Sequence, residues 1–222
     1  TLNCDYQLID TEKKRAEIVQ KLLTSKILSL DTETTGTEPM DAELVGMSFS
    51  ITENQAFYVP VPDNREEALK IVNEFRPVFE NENSLKVGQN IKYDMIILEN
   101  YGVQVKGALF DTMIAHYVLQ PELRHGMDYL AEIYLHYQTI HIEELIGPKG
   151  KNQKNMRDLD PKDIYRYACE DADVTLKLKN VLEKELKEND AERLFYDIEM
   201  PLVPVLVNIE RNGVLLDTEA LK

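Results

Sequence analysis

Three runs read as successive β-strands by their periodicity: residues 26–31 (Lys-Ile-Leu-Ser-Leu-Asp), 43–51 (Glu-Leu-Val-Gly-Met-Ser-Phe-Ser-Ile) and 55–61 (Gln-Ala-Phe-Tyr-Val-Pro-Val). An antiparallel meander is the simplest way to join them. Helical spacing follows over 65–79, where Leu69, Val72 and Phe75 stand among charges as the core-facing stripe of an amphipathic helix. A short apolar strand at 84–88, a helix opening near Asn90, a strand near 105–110 and a helix from Asp111 come next. Strands first and alternation afterwards predict an α/β fold with a mixed sheet, antiparallel then parallel, flanked by helices. An all-parallel dinucleotide-binding sheet would alternate from the start and carry Gly-x-Gly-x-x-Gly, which the chain lacks.

The last third is helical. Asp160 is the expected N-cap and Pro161 the first helical residue, where a missing N–H costs little. Ile164, Ala168, Ala172 and Leu176 recur every four residues, and the two alanines let this helix lie close to its neighbour, with Tyr167 and Asp171 on an adjoining face. The polar stretch Lys-Glu-Asn-Asp at 187–190 marks a boundary, giving a domain over 1–188 and a separate helical tail over 189–222. No internal repeat or low-complexity tract interrupts either part.

Composition narrows the classes. With 43% hydrophobic and 29% charged residues among 222, the chain can bury one good core or one core plus a fragment. No terminal leader and no apolar run of the ~20 residues a spanning helix needs are present, so a cytoplasmic, membrane-free protein is expected. Cys4 and Cys169 are too few for a disulfide framework, and His116, His125, His136 and His141 lack zinc-site spacing. A net charge of −15 opposes nucleic acid as a partner, because strands are held mainly by Lys and Arg replacing condensed counterions. The objection weakens if the acids mark a metal centre, since bound cations reverse the local field, or if a larger partner region supplies the grip.

Three segments carry the candidate chemistry: Leu-Asp-Thr-Glu-Thr-Thr-Gly at 30–36, Asn-Ile-Lys-Tyr-Asp at 90–94 and Tyr-Ala-Cys-Glu-Asp at 167–171. Each has a plain alternative. With 40 acids in 222 residues, an acid-x-acid triplet such as Asp31-x-Glu33 arises by chance about seven times. Asn90 serves equally as a simple helix cap, and Tyr167 with Asp171 as a surface i, i+4 pair. Their joint occurrence tips the balance, because each carboxylate falls at a strand end or on a helix able to face one. Asp31, Glu33, Asp94 and Asp171 would repel one another if gathered, so their convergence makes sense only around divalent cations, as in a two-metal phosphodiesterase.

Asp-x-Glu, then Asn-x-x-x-Asp, then Tyr-x-x-x-Asp resembles the DEDDy exonuclease pattern, with Tyr167 standing where the sister branch has histidine. Val87-Gly-Gln-Asn-Ile-Lys-Tyr-Asp94, Tyr167 to Thr175 and Met200-Pro-Leu-Val-Pro-Val-Leu resemble the proofreading region of the bacterial DNA polymerase I family. That resemblance spans nearly the whole chain and implies an RNase H-like fold. It makes 1–188 a 3′→5′ exonuclease domain and 189–222 a linker helix with the truncated start of a polymerase domain of the same parent chain. It further implies two Mg²⁺ or Mn²⁺ ions, one held by Asp31, Glu33 and Asp171, the other by Asp31 and Asp94. Tyr167 would orient the attacking water, because a phenol with a reference pKa of about 10 is a poor base at neutral pH. The expected substrate is a single-stranded or frayed DNA 3′ end, and the product a nucleoside 5′-monophosphate. By the same resemblance Thr34, Gln89, Asn90, Tyr93 and Arg124 touch the terminal nucleotides, and a nucleoid-associated monomer is expected.

Two rivals stay open. An RNA-trimming DEDDy nuclease shares these segments and differs in 2′-hydroxyl contacts that the motifs do not reveal. A silent exonuclease-fold platform would lack one or more carboxylates, and none is missing here. The basic, glycine-bearing loop Gly147 to Asn155 either steers phosphates or is a solvated turn.

Overall fold

The computed structural model describes residues 4–221. In chain order it forms β1 (Asp5–Leu8), α1 (Glu12–Leu23), β2 (Ile27–Thr34), β3 (Leu44–Thr52), β4 (Gln55–Pro60), α2 (Arg65–Glu74), α3 (Arg76–Phe79) and β5 (Leu85–Gly88). There follow α4 (Ile91–Asn100), β6 (Leu109–Asp111), α5 (Thr112–Leu119), α6 (Met127–Leu135), α7 (Ile142–Ile146), α8 (Pro161–Glu188), α9 (Glu192–Leu194) and α10 (Met200–Asn212). One six-stranded sheet has the order β1-β4-β3-β2-β5-β6. β2, β3 and β4 form the expected antiparallel meander, and β2-β5-β6 are parallel. The mixed sheet flanked by helices matches the sequence expectation.

The strand period of two splits the core into two layers. On β4, Ala56 and Tyr58 pack with Val45, Ile164, Ala168 and Cys169 beneath α8. Phe57 and Val59 face the other way, into the larger cluster that holds Phe49, Phe75 and Phe79. Phe49 and Phe75 stack there with centroids 5.3 Å apart. Ala168 and Ala172 are fully buried, so α8 settles directly onto the sheet. Gly46 is required by this packing, since a Cβ there would lie 2.3 Å from the Tyr58 ring.

Four local features differ from the sequence expectation. β1 and α1 were not foreseen: β1 is a four-residue edge strand made coherent by parallel pairing to β4, a contact about fifty positions away. The helix expected over 65–79 divides at Phe75, because Pro77 has no N–H to continue the ladder. The strand expected near 105–110 shrinks to Leu109–Asp111. Gly107 turns with φ +93° beneath the Ser84 carbonyl, delaying strand pairing. Asn90 occupies the N-cap of α4 but is left-handed (φ 59°) and makes no side-chain cap.

The 189–222 segment also contributes to this core. Phe195, Met200, Val203 and Val207 are buried in the larger cluster, and Phe195 meets Phe110 of β6 at 4.8 Å between centroids.

Candidate active site

β2 carries Asp31 and Glu33, both on the sheet face toward α8, and a register shift between Glu33 and Thr34 bulges its pairing with β3 just past the two acids. Thr32, between them, points the opposite way and fixes Asp94: its amide and its hydroxyl both donate to Asp94 Oδ1, at 2.9 and 2.6 Å. Asp94 is thereby tied to the strand whose flanking residues are the other two acids. α4, which bears Asp94, is started by Asp111 from another strand. One Asp111 oxygen accepts from the Asn90 amide at 3.2 Å and the other from Ile91 at 2.8 Å. Asp111 also accepts from Met113 and Ile114, so a single buried carboxylate caps α4 and α5 together.

α8 supplies Tyr167 and Asp171. Its start is set as expected, with the Asp160 carboxylate accepting from the Lys162 amide at 2.9 Å. Asp31, Glu33 and Asp171 each offer an oxygen within 4.8 Å of the others. No other group of three or more such His, Cys, Asp or Glu side chains occurs among the described residues, although His116 and His125 meet Nδ1 to Nδ1 at 2.7 Å. Asp31, Glu33, Asp94, Tyr167 and Asp171 all line one cleft of about 670 Å³.

The electrostatics favour a cation. Glu33 Oε1 and Asp171 Oδ1 are buried without a hydrogen-bond partner, an arrangement that costs free energy unless something positive meets them. Burial pushes the Asp31 carboxyl up to about 7. Burial, then repulsion from Asp31, raises Glu33, Asp94 and Asp171 well above the ordinary carboxylate range. Buried like charges left orphaned suit hard divalent ions that take oxygen ligands. Burial and the neighbouring Asp171, Glu33 and Asp31 carboxylates also hold the Tyr167 phenol protonated.

Of the residues expected to touch substrate, Thr34, Gln89, Asn90 and Tyr93 line the same cleft. Thr34 and Tyr93 hydroxyls lie 2.6 Å apart, and Tyr93 donates to the Gly36 carbonyl at 2.5 Å. Gln89 is held through Nε2 by the His125 carbonyl at 2.7 Å. Arg124 does not join them; it lies exposed on a separate depression with Asp128, Glu132 and His141, because the chain from α5 to α6 carries it away from the strand ends. Sequence reasoning gave no role to Thr32 or Asp111. An acid directly before a helix start signals the second; nothing in a linear pattern signals the first.

Residues 6–187 match the family model described as 3′-5′ exonuclease. The chain belongs to that exonuclease family. The DNA polymerase I of Borreliella burgdorferi is 35% identical over 225 residues, covering 100% of this chain and 24% of that protein. The Pseudomonas aeruginosa DNA polymerase I is 38% identical over 228 residues, covering 98% and 25%. The chain thus spans about a quarter of the length of these relatives, matching their exonuclease region. Among solved structures, Brucella melitensis NrnC superposes with a TM-score of 0.73 at 17% identity, covering 96% of this chain and 95% of that one. The catalytic core of RRP6 from Trypanosoma brucei gives 0.70 at 21% identity, covering 91% and 53%. These neighbours identify the fold as that of RNase H-like exonucleases.

Proposed function

We propose that this exonuclease domain removes nucleoside 5′-monophosphates from the 3′ end of single-stranded or frayed DNA, using two divalent cations, as the proofreading part of a DNA polymerase I. The observation that carries the reading is the meeting of Asp31, Glu33 and Asp171 from β2 and α8 around buried, unpartnered carboxylate oxygens, with Asp94 tied in through Thr32. Asp31, Glu33 and Asp171 would hold one Mg²⁺ or Mn²⁺ and Asp31 with Asp94 the other. Bound there, the ions supply a water acidified toward neutrality and charge stabilisation at the departing 3′-oxygen.

The chain's own residues do the rest. Tyr167, kept as a neutral phenol, hydrogen-bonds and aims the attacking water rather than taking its proton. Thr34, Gln89, Asn90 and Tyr93 seat the terminal nucleotide. Preference for mismatched ends follows from fraying: an unpaired terminus reaches a single-strand site more often than a paired one.

In this reading residues 189–222 are the linker helix and truncated start of a polymerase domain, even though Phe195, Met200, Val203 and Val207 pack into the exonuclease core. α10 buries one face in the exonuclease core, while Leu194, Ile198, Leu202, Val205 and Ile209 form an exposed apolar stripe. The relatives are about four times longer than this chain, and the polymerase domain of such a parent is the partner we assign to that stripe. A cytoplasmic, nucleoid-associated monomer accompanies this role; among the described residues no helix is long and apolar enough to cross a membrane.

The test is a degradation ladder of 5′-labelled single-stranded, matched and mismatched DNA and of RNA, with Mg²⁺ or Mn²⁺ titrated against chelator. Stepwise, metal-dependent shortening of DNA, fastest on single strands and abolished by Asp31→Ala, is expected. Cleavage that survives chelation, or RNA shortened in preference to DNA, overturns the proposal.

A further inference from the structure

The carboxylate cleft has too little positive charge to retain a polyanion. Its lining includes Asp31, Glu33, Asp94, Asp171 and Glu143, and only Lys149 and Lys154 oppose them. Two divalent cations would neutralise the four central carboxylates and leave no surplus for the strand's phosphates. The chain as a whole, at −15, repels them.

Both lysines sit on the loop between α7 and α8, and the loop is built rather than loose. Its base is closed by the Lys154 amide donating to the Ile146 carbonyl at 2.8 Å and by Gln153 Nε2 donating to the Gly147 carbonyl at 3.2 Å. Asn155 Nδ2 donates to the Thr35 carbonyl at 2.7 Å, pinning the loop to the turn that follows Glu33. Gly147 and Gly150, with φ of 83° and 154° and open space where a Cβ would stand, allow the reversal.

Several lysines elsewhere have structural partners; what sets Lys149 and Lys154 apart is that, among the described residues, they alone of the lysines line the carboxylate cleft. Lys14, Lys106, Lys177 and Lys179 meet carboxylates, and Lys86 is buried against three backbone carbonyls. Lys149 and Lys154 are exposed at the cleft, and among the described residues neither ammonium has a hydrogen-bond or ion-pair partner.

We propose that Lys149 and Lys154 are positioning residues that grip the backbone phosphates of the strand whose 3′ end lies among the carboxylates. The inference rests on the exonuclease reading. A lysine point charge suits contacts that must re-form after each nucleotide is removed, because it imposes no bidentate geometry. No base is read, so the grip is independent of sequence.

The experiment compares the unaltered chain, Lys149→Ala/Lys154→Ala, Lys149→Arg/Lys154→Arg and the charge-matched distant pair Lys13→Ala/Lys70→Ala. Each is assayed on a 5′-labelled single-stranded oligonucleotide with Mg²⁺ over a range of salt. The cleft alanine pair should raise KM on the order of tenfold at moderate salt, hold kcat within about twofold, and flatten the log KM against log salt slope by about 1.4, the value for two single-strand phosphate contacts. The arginine pair should restore KM and slope, and the distant pair should behave as the unaltered chain. A cleft pair indistinguishable from the distant pair overturns the inference while leaving the exonuclease reading intact. A fall in kcat with unchanged KM also overturns it, since the lysines would then act in the chemistry. If the unaltered chain shortens no strand, the exonuclease reading itself fails.

Discussion

Glu170, Asp171 and Asp173 stand within four positions on α8, yet only Asp171 reaches the cleft. Glu170 accepts from the Tyr137 hydroxyl at 2.5 Å and the Ile140 amide at 2.6 Å, anchoring the chain after α6. Asp173 accepts from Tyr6, from the Asn54 amide and from Lys177, locking β1 and the β3–β4 turn to the helix. Glu170 and Asp173 spend their oxygens on these partners, whereas Asp171 keeps a buried Oδ1 with none. Asp171→Asn should therefore lower kcat by roughly a thousandfold, the scale of several kcal/mol of lost charge stabilisation. It should also raise the Tm of the metal-free domain, because one buried like charge is gone. Glu170→Ala should do the reverse, costing about 2–3 kcal/mol of stability through two stranded donors. Chemical denaturation and steady-state kinetics on both variants separate these outcomes; an Asp171→Asn domain less stable than the parent would contradict the assignment. Tyr167→Phe should lower kcat on the order of tenfold with little change in KM, the scale of a lost orienting contact rather than a lost base.

At the scale of elements, the parts visible in the linear pattern are those whose cause is local. The meander from β2 to β4, the helix before β5 and the Asp160–Pro161 start of α8 each follow from residues within a few positions. Leu69, expected on the core face of the helix before β5, is nevertheless exposed, while Val72 and Phe75 are buried. β1 was invisible because four residues of alternating burial carry no signal until β4 lies beside them. The carboxylates were legible because strand ends and helix faces announce where they point; Thr32 and the double cap by Asp111 were not, since both bonds join residues about twenty to sixty positions apart. Asp111→Ala removes two helix starts at once and should cost about 2 kcal/mol or more, twice a usual cap. It should also weaken catalysis, because α4 carries Asp94. Asp111→Asn should recover part of both, and equal loss in the two variants would argue against capping. For the C-terminal helix, Phe195→Ala should cost about 3–5 kcal/mol, whereas Ile198→Ala, on the exposed stripe, should stay within roughly 0.5 kcal/mol. Similar Tm shifts for the two would mean that 189–222 is not integrated into this core.

For the whole molecule, the four cleft carboxylates set an opposition between stability and function that pH exposes. Asp31 is pushed up to about 7, and Glu33, Asp94 and Asp171 are raised well above their ordinary range, chiefly by burial. In the unfolded chain these groups return to about 4. Above about pH 4 the folded, metal-free domain holds protons on these groups that the unfolded chain has lost, so the stability they contribute is fully present below about pH 4 and is lost as pH rises through their raised folded values, about 7 for Asp31. Divalent ions compete for the same oxygens and reverse the trend, because they bind the deprotonated folded state. The gain in Tm on adding Mg²⁺ or Mn²⁺ should thus be small near pH 5 and grow to roughly 5–10 °C near pH 8, as expected for ~2.7 kcal/mol at a hundredfold excess over Kd in a domain of this size. Taking the difference with and without metal at each pH cancels the acids elsewhere, such as Asp5 and Asp10, whose hydrogen bonds lower them. Asp31→Asn should both raise the metal-free Tm near pH 8 and erase most of the metal-induced gain. A gain of equal size at both pH values would show that the ions bind somewhere other than among these four carboxylates.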